Sequence, residues 1–62
     1  MWVAMRDAVL DMLLDNLGHF VSGEDISRRL GITRAAVWKY IKLLQGQGYM
    51  IESSTKKGYC LK

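Results

Sequence analysis

The sequence predicts a mainly α fold with a small β-hairpin: three helices followed by a two-stranded wing. Three observations predict it. Two short amphipathic segments, 23–30 and 34–46, flank a glycine at position 31. An apolar-periodic segment precedes them over 3–17. Two short alternating runs within 49–62 enclose a polar, glycine-containing loop. A chain of 62 residues, half of them hydrophobic, suffices for one small core and no more.

The first helix is expected over 3–17. Leu10, Leu13, Leu14 and Leu17 recur at the spacing of one helical face, widened by Val9 and by Met5 and Met12. Asp7, Asp11 and Asp15 fall four apart on the other side and read as a solvated back rather than a metal site. Asn16 and Gly18 supply the stop. His19-Phe20-Val21 is long enough only for a brief strand or an extended link, with Phe20 expected in the core and His19 exposed.

Ser22 stands at an N-cap position with Asp25 three residues on, a start resembling a capping box. Ile26 and Leu30 face inward, while Arg28 and Arg29 lie near the helix C-terminus, where the dipole favours cations with or without a polyanion. Gly31 provides the left-handed residue that ends this helix. Ile32 fills the corner, and Thr33 can cap the next helix. Along 34–46, Val37, Ile41 and Leu44 face inward, which leaves Arg34, Ala35, Trp38, Lys39 and Lys42 outside. A short helix, a glycine turn and a longer helix with a basic outer side make a helix-turn-helix.

Gly46 and Gly48 stop that helix. Tyr49 to Ser53 and Tyr59 to Lys62 then alternate around Ser54-Thr55-Lys56-Lys57-Gly58 and read as a hairpin with a basic tip. On the sequence pattern nothing remains to cover the edge of that hairpin, so the chain reads as the N-terminal piece of a longer protein. A lysine pair at a hairpin tip serves solubility in many proteins. Here it shares its sign with the preceding helix, which a winged helix-turn-helix fold brings alongside.

Charge is polarised. Residues 1–21 carry Arg6 against Asp7, Asp11 and Asp15, a balance of −2, whereas residues 22–62 carry eight Lys and Arg against Glu24, Asp25 and Glu52, a balance of +5. This suggests a footprint for a polyanion, although charge alone does not separate DNA from RNA or an acidic membrane. The single cysteine, Cys60, allows no internal disulfide and fits a reducing cytoplasmic setting. It reads as a small side chain on the last strand, since His19 is remote from it and no nucleophile signature surrounds it. No acid/base pair, metal cluster or nucleophile constellation stands out, so neither catalytic nor metal residues are assigned.

At SGEDISRRLGITRAAVWKYIKLLQGQGY and TKKGYCL the sequence resembles the N-terminal winged-helix domain of bifunctional biotin protein ligase/biotin operon repressors, over nearly its whole length. The resemblance implies double-stranded DNA as partner. Thr33, Arg34, Ala35, Trp38, Lys39 and Lys42 would face the major groove, with Lys56 and Lys57 on phosphates. Arg34 and Lys39 are the candidates for base-edge contacts, and Thr33 with its helix N-terminus for a phosphate. Trp38 departs from the small polar residue expected at a groove-facing position and reads either as stacking on a sugar or as packing against another domain. The glycine- and arginine-rich adenylate loop of the ligase segment is absent. Biotin and ATP are therefore expected as ligands of the parent protein and not of this chain, and homodimerisation is expected through the missing C-terminal domain. Two other readings stay open: a winged-helix regulator responding to a different small molecule, and a protein-interaction module of a ligase that has no operator.

Overall fold

The computed structural model describes residues 4–62. Three helices are followed by a two-stranded antiparallel sheet: α1 (Met5–Asp15), α2 (Gly23–Leu30), α3 (Arg34–Gly46), β1 (Ile51–Ser54) and β2 (Gly58–Leu61). This is the winged helix-turn-helix arrangement. Residue 3, where the first helix was expected to begin, lies outside the described residues.

At its far end α1 stops at Asp15, two residues short of the expected limit. The Asn16 side-chain amide donates back to the Met12 carbonyl at 2.9 Å, satisfying a helix-end acceptor that a further turn would have used. The inward stripe also differs from the expected one. Val9 and Leu13 are fully buried, with Leu10 and Met12 packed beside them. Leu14 and Leu17 are instead about half exposed. Apolar residues cover more than half the circumference of this helix, so spacing alone left the direction of the core open.

The next two helices follow local chemistry. Ser22 Oγ accepts the Asp25 backbone N–H at 2.9 Å, and Thr33 Oγ1 accepts that of Ala36 at 3.0 Å. Between them Gly31 adopts φ +67°, and the Gly31 and Ile32 N–H groups both donate to the Ser27 carbonyl. Ile26 from α2 and Val37, Ile41 and Leu44 from α3 meet Val9 and Leu13 in the core. No polar side chain is buried among the described residues.

The strands are shorter than the alternation implied. β1 starts at Ile51, and Tyr49 and Met50 lie outside it and exposed. Gln45, on the last turn of α3, donates its side-chain amide to the Ile51 carbonyl at 2.8 Å and holds β1 against the helix. Ile51 pairs with Leu61, and both side chains enter the core.

The hairpin edge expected to lie bare is covered on the β2 side. Val21 and Tyr59 exchange two backbone hydrogen bonds of 2.8 Å, and the Gly18 N–H donates to the Leu61 carbonyl at 3.0 Å. The link between α1 and α2 thus forms a one-residue third strand, the brief strand expected at His19–Val21. Gly58 makes this approach possible. Its φ is +107°, and a Cβ there would sit 2.1 Å from the Val21 carbonyl oxygen. Cys60 is a buried free thiol.

Candidate nucleic-acid interface

Every side chain singled out from the sequence — Thr33, Arg34, Ala35, Trp38, Lys39, Lys42, Lys56 and Lys57 — is exposed. On a helix turning roughly 100° per residue, Ala35, Trp38, Lys39 and Lys42 fall within a sector of about 100°, centred opposite Val37, Ile41 and Leu44. Arg34 lies to one side of that sector, on the flank that also carries Gln45 and so faces the hairpin.

That flank is a cleft. A concavity of about 490 Å³ opens between the start of α2, the start of α3 and the wing, lined by Ser22, Gly23, Arg34, Ser54, Lys56 and Tyr59 among others. Tyr59 lines it close enough to Gly23 that a Cβ there would lie 3.3 Å from the ring. Arg34 and Lys56 thus line one space from two different elements. Glu24 also borders the cleft, but its carboxylate is engaged by Arg28 at 2.9 Å. The N-terminus of α2, where Ser22 Oγ already accepts the Asp25 N–H, adds partial positive charge.

The wing tip is organised by Ser54, whose Oγ accepts the backbone N–H groups of Lys56 at 3.3 Å and Lys57 at 3.2 Å. The two lysines then part. Lys56 borders the cleft, while Lys57 Nζ lies 5.6 Å from the centre of the Phe20 ring. Phe20 is half-buried, not a core residue, and serves as a platform for that cation. On α3, Lys42 Nζ lies 5.3 Å from the centre of the Trp38 indole. Neither aromatic partner was foreseen, because each pairing depends on the fold or on a rotamer and not on residue type.

Among the described residues the ion pairs are Arg6–Asp7, Arg28–Glu24 and Lys62–Glu52, none of which takes a charge from the proposed surface. Asp7, Asp11 and Asp15 are exposed on α1, whose Val9–Leu13 side packs inward against α3. The acids therefore point away from the basic side of α3. No three His, Cys, Asp or Glu side chains gather as a metal site would need among the described residues. No described helix is long and apolar enough to cross a membrane.

A family model described as an HTH domain matches residues 6–60, nearly the whole chain. The chain belongs to the helix-turn-helix domain family. It is a DNA-binding domain of the helix-turn-helix kind, with α2 and α3 as the two helices of the motif. Curated relatives match over the same region. The bifunctional ligase/repressor BirA of Bacillus subtilis (strain 168) is 39% identical over 57 residues, covering 92% of this chain and 18% of that protein. The protein of the same name from Salmonella typhimurium is 38% identical over 60 residues, covering 92% of this chain and 19% of its own length. This helix-turn-helix domain thus spans about a fifth of the length of the curated relatives it matches.

Proposed function

We propose that this helix-turn-helix domain is the operator-binding module of a biotin-responsive transcriptional repressor, acting in the cytoplasm, whose parent protein is also a biotin protein ligase. The names of the relatives support the ligase/repressor pairing. The likeness to biotin operon repressors in SGEDISRRLGITRAAVWKYIKLLQ and KKGYCL supports the biotin assignment.

One observation carries the DNA-binding geometry: Arg34 of α3 and Lys56 of the wing line a single cleft at the α2 N-terminus. A phosphate seated there would meet two cations and a helix end at once. This divides the labour differently from what residue types alone suggest. Arg34, Lys56 and Lys57 hold the backbone, and the outer side of α3, with Ala35, Trp38, Lys39 and Lys42, lies against base edges in the major groove. Thr33 accepts the Ala36 N–H, so its hydroxyl proton remains available to donate to a second phosphate.

Biotin and ATP act on the parent protein outside this domain, which contributes no residue to their chemistry. They control binding by promoting dimerisation elsewhere in the parent, so one copy of the domain alone binds weakly. The test is a fluorescence titration of the domain against a labelled biotin-operon upstream fragment and a random duplex at two salt concentrations. Preference for the operator fragment is the expected result. Equal, salt-sensitive binding to both removes the repressor reading and leaves a general DNA-binding module. Absence of binding to either leaves the domain as a protein-interaction module.

A further inference from the structure

The outer side of α3 is not uniformly cationic. Ala35 and Trp38 interrupt it, with Trp38 at its edge beside Lys42, and Trp38 is 55% exposed. An indole left in water at the middle of a helix-turn-helix's second helix calls for a partner. Its orientation is already restricted: Lys42 Nζ lies 5.3 Å from the ring centre, so an ammonium covers one face of the indole, while more than half of the residue's surface stays exposed.

The major groove offers donors, acceptors and one apolar feature, the C5 methyl group of a pyrimidine. Against any other base edge an indole would strip water from polar atoms without replacing their hydrogen bonds. Against the methyl it buries apolar surface on both sides. We propose that Trp38, flanked by Ala35, recognises the C5 methyl of a pyrimidine and is a specificity-determining residue of this domain. The proposal rests on the reading that α3 lies in the major groove. Lys42 contributes as the group that holds the ring, which makes it a positioning residue as well as a cation.

The methyl belongs either to thymine or to 5-methylcytosine, and the test separates the two. Fluorescein-labelled mixed-sequence duplexes of about two helical turns are prepared in three forms: unmodified, with uracil replacing every thymine, and with 5-methylcytosine replacing every cytosine. Anisotropy titration of the domain is expected to show the uracil form bound about fourfold more weakly for each methyl covered. A matching gain from the 5-methylcytosine form assigns recognition to the methyl wherever it occurs, and no gain assigns it to thymine. Trp38→Ala and Trp38→Gln should both reduce the thymine-to-uracil ratio to near one. Lys56→Ala should weaken all three forms while leaving the ratio unchanged. Equal wild-type affinity for the thymine and uracil forms, with salt-sensitive binding intact, overturns the methyl proposal alone. Failure to bind any duplex overturns it together with the DNA-binding reading.

Discussion

Replacing Gly58 by alanine tests how the wing is attached. At φ +107° an L-residue is strained wherever it sits, at about 1–3 kcal/mol. Here the new Cβ would also stand 2.1 Å from the Val21 carbonyl oxygen and 2.7 Å from Ser22 Cα, both backbone atoms that cannot rotate away. The strand and the α1–α2 link must separate. That jeopardises the two Val21–Tyr59 hydrogen bonds, each contributing roughly 0.5–1.5 kcal/mol. The total is about 2–6 kcal/mol. A domain of this size has about 3–9 kcal/mol of stability altogether.

Gly31 is the internal control: its φ is +67°, but nothing lies within 4 Å of a Cβ built there. Gly31→Ala should therefore cost only the backbone strain, about 1–2 kcal/mol. With roughly 4–8 °C of melting temperature per kcal/mol in a small domain, Gly31→Ala should remain folded with a modest shift. Gly58→Ala should lose on the order of 8 °C or more, or fail to show a cooperative transition. Thermal melts followed by far-ultraviolet circular dichroism compare the two directly. Equal, small shifts for both variants would refute the close approach of β2 to Val21 and with it the account of how the wing is held.

Other outcomes follow from the same geometry. Three basic side chains on phosphate, Arg34, Lys56 and Lys57, predict that log affinity for duplex DNA falls with log salt at a slope of about −3. Arg34→Ala and Lys56→Ala should each make that slope shallower by about one, alike for all sequences, and a change in base preference without a change in slope would contradict the shared phosphate seat. Thr33→Ala removes the cap on α3 and should lower stability by about 1 kcal/mol in urea denaturation, an effect that Ser should restore. The exposed Glu52–Lys62 pair has a modest pH signature. The Lys62 ammonium, hydrogen-bonded at 2.8 Å, holds the Glu52 carboxyl below its ordinary range, and Glu52 holds Lys62 above its own. The contribution from Glu52 is complete above its unfolded pKa and is lost as pH falls through the folded one. That from Lys62 is complete below its unfolded pKa and is lost as pH rises through the folded one. The melting-temperature difference between wild type and Glu52→Gln should therefore be flat between about pH 5 and 10 and shrink at either extreme. A difference that persists unchanged at strongly acid pH would remove the pair.

What could be read from the sequence was whatever depended on neighbours a few residues apart. Ser22, Gly31 and Thr33 announce the ends of α2 and α3 through interactions spanning three or four positions. The inward faces of those helices follow from single unambiguous stripes. In α1 the apolar residues were too many to choose among, and the choice was made by what packs there. The covered edge of β2 was illegible for a different reason. It joins Val21 to Tyr59 across most of the chain, and its one local trace is a glycine that reads equally well as a turn residue. The basic surface was legible by residue type. The cleft shared by Arg34 and Lys56, and the rings beneath Lys42 and Lys57, emerge only once α3 and the wing are docked.

The pairing of Val21 with Tyr59 also bears on how the molecule reaches this state. β2 touches the link before α2, supplies Cys60 and Leu61 to the interior and pairs with β1, so the three-helix part lacks its closing wall until nearly all the chain is present. Helices α2 and α3 can form early from local signals, whereas closing a loop of this length must wait for its entropy to be repaid by contacts at both ends. On a ribosome the interior would stay open to solvent until residue 61 has cleared the exit tunnel. Consolidation should then come as a single late step, with the wing as its trigger.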